Sequence, residues 1–174
     1  MISFIQGKVL ERTSSSLLIL TGGLGYEVLV PPAILANLPD AIEGSEVSLV
    51  LYYYLQIDQS RATPVMIGFH DTLERDFFEG FIKVASIGPR TAVKAIALPI
   101  STIAAAIESG DTRILTRLPG VGQQKAKEIV AKLQGKMSIY LQSGADTTPA
   151  SSTSQTGVTA VSYTHLTLPT IYSV

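Results

Sequence analysis

Gly120-Val121-Gly122-Gln123-Gln124-Lys125-Ala126 repeats, 34 residues on, the phrase Ser86-Ile87-Gly88-Pro89-Arg90-Thr91-Ala92. In each copy a tight glycine-containing turn lies between two apolar helical stretches and leads straight into the start of a helix. Gly120 and Gly122, and Gly88 in the first copy, are expected to reach positive φ; lacking a Cβ, they let the backbone turn sharply and approach a ligand closely. The first N–H groups of the following helix have no partner within it, and its dipole favours an anion there, so a phosphate oxygen fits the vacancy. Ile87 and Val121 are expected to point the other way and plug between the two helices of each hairpin. Ala92 and Ala126, then Ile96 and Val130, carry the same register along the buried face. Pro89 stands in a first helical turn, where its missing N–H costs nothing. The pattern is a helix-hairpin-helix, and two copies in register with basic neighbours imply a grip on the DNA backbone.

Charge is distributed to match. The chain as a whole carries a formal charge of −1. Residues 1 to 82 hold Lys8, Arg12, Arg61 and Arg75 against ten acids, a balance of minus six, whereas residues 83 to 136 hold nine Lys and Arg against Glu108, Asp111 and Glu128, a balance of plus six. Positive charge therefore gathers on the hairpin segment, where phosphate neutralisation supplies affinity and makes it steeply dependent on salt. The bland alternative is a solvated basic face. Candidate DNA-binding residues are Ser86, Ile87, Gly88, Pro89, Arg90 and Lys94 in the first hairpin, and Arg117, Gly120, Val121, Gly122, Gln123, Gln124, Lys125 and Lys127 in the second.

Outer bounds come from composition. A chain of 174 residues that is 46% apolar allows one or two small domains with real cores. It has no cysteine, which excludes disulfides and thiol-based metal or nucleophile chemistry and fits a reducing compartment. No apolar run approaches the roughly 18 residues of a membrane span, and Met1-Ile2-Ser3 opens without a charged leader. The expectation is a cytoplasmic protein with no membrane contact.

Along the first 69 residues, short β-branched and apolar runs alternate with turns. Ile2 to Arg12, Ser16 to Thr21, Tyr26 to Val30, Val47 to Leu55 and Val65 to Phe69 read as five strands, with Gly22-Gly23 and Gly44 in the gaps and a short helix over Pro32 to Leu38. That set suits a small closed barrel of the oligonucleotide-binding (OB) type. From Asp71, the expected cap, the period turns helical, with Leu73, Phe77, Phe81 and Val84 on one face. Ser101 precedes an Ala-rich helix ending near Gly110, Asp111 is placed to cap the short helix with Ile114 and Leu115, and Ile129, Val130 and Leu133 close the pattern. The fold class is thus α+β and multidomain: a five-stranded OB-type barrel over 1–69, an all-α domain with two helix-hairpin-helix motifs over 70–137, a flexible linker over 138–158 and a tail over 159–174.

These residues closely resemble the RuvA family, the Holliday-junction-binding subunits of bacterial branch migration complexes. The resemblance covers about residues 1 to 137 and rests on Gly22-Gly23-Leu24-Gly25-Tyr26-Glu27-Val28, on Ile67-Gly68-Phe69 and on Leu118-Pro119-Gly120-Val121-Gly122 with its paired first hairpin, all in family order. It implies a homotetramer, or two stacked tetramers, that holds four-way junction DNA open and flat, each subunit gripping one arm through both hairpins. It also implies a RuvB-type hexameric ATPase motor and a RuvC-type resolvase as partners. Three departures stand out. Ser86 replaces a usual glycine, and Gln123-Gln124 replaces frequent basic residues. The loop Gln56-Ile57-Asp58-Gln59-Ser60, which aligns with the family's paired-acid pin at the junction centre, keeps only Asp58 and has Ile57 beside it.

Catalysis is not expected. A G-x-x-x-x-G-K-[ST] loop is missing, so ATP and Mg belong to the partner motor and this chain needs no cofactor. His70 and His165 stand apart from any cluster of metal ligands. Two rival readings remain: a helix-hairpin-helix glycosylase or lyase with Lys125 as nucleophile, for which no acid or base-extruding pocket is visible, and a general duplex-binding module without junction preference. Tyr52-Tyr53-Tyr54 as a stacking platform is disfavoured, because strand alternation splits the trio between two faces. After Ser143 to Pro149 the chain ends in an uncharged run, Thr159 to Val174, without helical periodicity; it reads as sequencing-adapter read-through in place of a motor-binding domain, so this chain is expected to bind junctions without engaging the motor normally.

Overall fold

The computed structural model describes residues 1–58, 61–84 and 87–141. Five strands, β1 (Phe4–Arg12), β2 (Ser16–Thr21), β3 (Leu24–Leu29), β4 (Glu46–Asp58) and β5 (Arg61–Phe69), form a closed barrel in the order β1-β2-β3-β5-β4. Neighbours are antiparallel except β3 and β5, which meet in parallel at Leu29 and Ile67. The alternation of Ile5 and Val9 with exposed neighbours puts their side chains inside. The interior is tight: a Cβ on Gly68 would stand 2.8 Å from Leu49 Cδ1 and 2.9 Å from Val28 Cγ1, and one on Gly7 would meet the Leu20 carbonyl.

Helix α1 (Pro32–Asn37) links β3 to β4 and buries Ala33, Ile34 and Leu35. Arg12 fixes the chain that follows, donating to the carbonyls of Ala41 and Leu35 at 2.8 and 3.1 Å. Among the described residues five helices come after the barrel: α2 (Thr72–Ile82), α3 (Pro89–Ala95), α4 (Ile100–Glu108), α5 (Thr112–Leu115) and α6 (Gln123–Leu133). Asp71 caps α2 by accepting from Glu74 N at 2.8 Å, while Glu74 reaches back to accept from His70 N at 2.9 Å, a reciprocal capping arrangement. Burial of the Glu74 carboxyl raises its pKa, an effect the His70 N–H partly offsets.

Barrel and helices share one core. Phe78 of α2 packs against Phe69 and edge-on against Tyr52, with ring centroids 5.1 and 5.4 Å away, and Ala33 N donates to Ile96 O at 3.2 Å. Fully buried aromatic rings of this size each contribute roughly 1.5 to 3 kcal/mol through burial.

Several boundaries differ from those the residue pattern suggests. β4 runs three residues past Leu55 and β5 begins at Arg61 rather than Val65, because each strand is paired only to the other there and needs no buried face. β3 starts at Leu24, in register with Thr21. α4 begins at Ile100, so Ser101 lies inside its first turn and Pro99 holds the cap position. The helical unit continues beyond 137: Ser138–Tyr140 form a 3-10 turn, and Tyr140 is buried edge-on against Phe77 at 5.3 Å. The remainder of the expected linker, and the tail 159–174, lie outside the described residues.

Candidate nucleic-acid interface

The two hairpins share backbone hydrogen bonds at matching positions. In the first, α2 and α3 flank the turn; in the second, α5 and α6 do. Ile87 N donates to Val84 O at 3.3 Å, and Val121 N donates to Leu118 O at 3.0 Å, each 34 residues after its counterpart. Ile87 and Val121 are buried, as plugs between the paired helices must be. Ala92 N bonds Gly88 O and Ala126 N bonds Gly122 O, both at 2.9 Å, closing the first turn of α3 and of α6. Ala92, Ala126 and Ile96 are fully enclosed, and Val130 is partly so.

Gly88 and Gly122 are the N-caps of α3 and α6, and neither has a side chain to bond the helix amides. The N–H groups of Arg90 and Thr91, and of Gln123, Gln124 and Lys125, precede the first intrahelical bonds and so need outside acceptors. Positive φ is not the reason for these two glycines: Gly88 sits at φ −82° and Gly122 at φ −87°, both in extended backbone that any residue adopts. Their role is to leave room. A Cβ at either position would have nothing within 4 Å, so the surface over both helix starts is open. Gly120 alone of the three is left-handed, at φ +77°, and its Cβ position lies 3.0 Å from Thr91 Cγ2. The second turn therefore rests against the first turn of α3. The sequence pattern carried no sign of that contact.

Around the turns, Arg90, Lys94, Arg117, Lys127, Gln123 and Gln124 are exposed. Pro89 occupies the first turn of α3 as expected. Lys125 is half-buried and folds back, its Nζ donating to Gly120 O at 3.4 Å. Arg90 and Lys94 also line a cleft of about 380 Å³ between α3 and the barrel, opposite Glu27, Pro64 and Met66. Ser86 lies outside the described residues. Asp58 ends β4 in register with Arg61, and its side chain is likewise outside the description.

The tyrosine trio divides as alternation requires. Tyr52 and Tyr54 have ring centroids 6.0 Å apart, with Tyr52 on Phe78, whereas Tyr53 pairs with Met66. Burial beside the Glu79 carboxylate and Tyr54 raises the Tyr52 pKa. Unforeseen in the residues is the work of Glu108. Its two carboxylate oxygens accept from Met137 N at 2.7 Å and Gly135 N at 3.0 Å, and its carbonyl accepts from Gln134 Nε2 at 3.0 Å, clamping the end of α6 to the end of α4. Among the described residues no single helix is long and apolar enough to cross a membrane.

Comparison with known proteins follows the same division. Residues 1–63 match the RuvA N terminal domain, and residues 78–135 match the SAM-like helix-hairpin-helix tandem. Over 140 residues the chain is 44% identical to the Holliday junction branch migration complex subunit RuvA of Desulfatibacillum aliphaticivorans, covering 80% of this chain and 67% of that protein. The protein of the same name from Desulforapulum autotrophicum is 40% identical over 157 residues, 90% of this chain and 72% of its own length. That of Francisella tularensis is 34% identical over 168 residues, 92% and 75% respectively.

Proposed function

The chain belongs to the RuvA family, and from that premise we propose that it is the DNA-binding subunit of a branch migration complex, which clasps four-way junctions through both hairpins and holds them open. The observation that carries this reading is the seating of the Gly120 turn against Thr91 in the first turn of α3, which supports a ligand shared between the two helix starts and their exposed basic neighbours. One phosphate run along a DNA arm meets both clusters; helix N-termini favour the anion, and Arg90, Lys94, Arg117, Lys125 and Lys127 add counter-charge. Contacts of this kind position DNA without reading its sequence. Junction selectivity then comes from several copies of the chain, a homotetramer or two stacked ones, gripping separate arms at once. Asp58, at the end of β4, takes the place of the family's pin. The chain does no chemistry itself; a RuvB-type motor supplies ATP hydrolysis, and a RuvC-type resolvase acts on the same DNA. The setting is the bacterial cytoplasm, in recombination and repair.

Gel-shift titration on a four-way junction and on a linear duplex of equal length, at two salt concentrations, tests the reading. Preference for the junction by about tenfold or more, weakening with salt, is the expected result. Equal affinity for both would replace it with a duplex-binding module.

A further inference from the structure

The cleft of about 380 Å³ between α3 and the barrel has walls that phosphate contact at the hairpins does not use. β3 and β5 meet at one pair, Leu29 and Ile67. Ahead of that pair, the facing edges of β3, up to Val28, and of β5, from Arg61 to Met66, have no strand between them among the described residues. Backbone N–H and C=O groups on such edges are left to water or to a ligand. Pro64, in the middle of the β5 edge, has no N–H to give, which disfavours an added peptide strand and leaves room for a compact ligand.

Charge in the cleft is divided between its walls. On the α3 wall Arg90 and Lys94 stand one helical turn apart and exposed, and among the described residues neither forms an ion pair. Like charges at that spacing repel each other, so a ligand carrying several negative charges relieves both. On the barrel wall Glu27 is exposed and likewise without an ion pair among the described residues, and Thr63 adds a hydroxyl. Met66, half-buried, and Val93, buried, give the cleft an apolar floor. The matching ligand has an anionic end for α3, an apolar body, and hydrogen-bond donors for Glu27, whose charge also turns the anionic end away from the barrel. Inorganic phosphate lacks the body. Duplex keeps its bases stacked, and the cleft is near the lower end of the roughly 300 to 1,000 Å³ that small-ligand sites occupy. A single nucleoside phosphate has all three parts.

We propose that this cleft is a nucleoside-phosphate site: Arg90 and Lys94 hold the phosphates, the base lies over Met66 and Val93, and Glu27 accepts from an exocyclic amine or a ribose hydroxyl. The same chemistry is offered by a free nucleotide and by the 5′-phosphorylated end of a strand. One consequence rests on the junction-binding reading. Arg90 and Lys94 also serve DNA phosphate there, so a nucleotide in the cleft competes with the DNA arm at the first hairpin and leaves the second untouched.

The test is calorimetric titration of the full chain with ATP, adenosine and tripolyphosphate, without divalent metal, while amide signals of Thr63, Met66 and Val93 are followed by NMR. ATP is expected to bind about tenfold or more tightly than either fragment and to move those signals. Glu27→Ala, at an exposed position, should cut the preference for ATP over tripolyphosphate by roughly fivefold or more, and Lys94→Ala should weaken both ligands. Tripolyphosphate binding as tightly as ATP, or a preference unchanged in Glu27→Ala, makes the cleft a plain basic face and overturns the site. Absence of ATP binding at millimolar concentration overturns it too. A tetranucleotide with and without a 5′-phosphate separates the sources: tighter binding than ATP by the phosphorylated strand alone, moving the same signals, supports the site and assigns it to strand ends. Gel shifts with saturating ATP should show weaker junction binding, and an undiminished affinity would overturn the competition. A chain that binds ATP in the cleft but no junction supports the site and removes only the junction reading.

Discussion

Arg90 in the first hairpin and Gln124 in the second occupy the same place, second in their helices after an N-cap glycine in nearly the same backbone conformation. The first hairpin presents Arg90 and Lys94 freely over a seven-residue helix and shares them with the barrel cleft. The second has an eleven-residue helix, neutral Gln123 and Gln124 at its start, and a lysine folded onto its own turn. What repeats is the arrangement of amides; what varies is the charge around it. Backbone geometry is thus the shared device for meeting phosphate, and side-chain charge tunes how strongly each copy answers to salt.

Gly120→Val attacks the point where the two copies meet. A β-branched residue at φ +77° costs about 1 to 3 kcal/mol in strain, and its Cβ would press on Thr91 Cγ2 at 3.0 Å. Thermal unfolding should show that loss, and gel shifts should show junction affinity falling with it. Glu108→Ala releases the clamp on the end of α6. Losing two charge-assisted bonds to backbone should cost about 1 to 3 kcal/mol, with amide exchange accelerating first at Gly135 and Met137 and leaving the barrel protected.

Charge can be swapped between the copies. Arg90→Ala should lower the slope of log affinity against log salt by about one unit, and Gln124→Lys should raise it by about one. Equal and negligible effects at both positions would mean that neither site lies at phosphate. Smallest is Glu74→Gln, at the base of the first hairpin. Because the folded pKa of Glu74 is raised above its ordinary value of 4.5, wild type loses stability as pH rises from below 4.5 through the raised value. The glutamine variant lacks that term, so its melting temperature relative to wild type should climb across the same window.

How far the residues alone disclose all this depends on the range of the interaction. Strand runs, the Asp71 and Asp111 caps and the hairpin repeat are local patterns: all five strands are present, though with shifted bounds, and both caps stand where the pattern puts them. The outer arm of β4 and β5 was hidden because Gln56, Asp58, Thr63 and Pro64 look like loop residues when no buried face imposes alternation. Gly88 was misjudged for a different reason. A glycine before a helix can serve either a left-handed turn or a vacant surface, and only the dihedral separates the two. Thr91 against Gly120, and Glu108 against Gly135 and Met137, join positions 27 to 29 residues apart, too far for any local signal. The polar composition beyond Tyr140 makes it read as linker, although its ring closes the core on Phe77.

Most direct is junction binding by the Gly88→Val, Gly122→Val double variant. Both positions have open space for a side chain and ordinary extended backbone, so the fold should survive, as amide exchange of the barrel can verify. Bulk over both helix starts should cost roughly thirtyfold to a thousandfold in affinity, at about 1 to 2 kcal/mol for each obstructed amide cluster. Wild-type affinity from a folded double variant would contradict the central claim that these two helix starts hold the DNA.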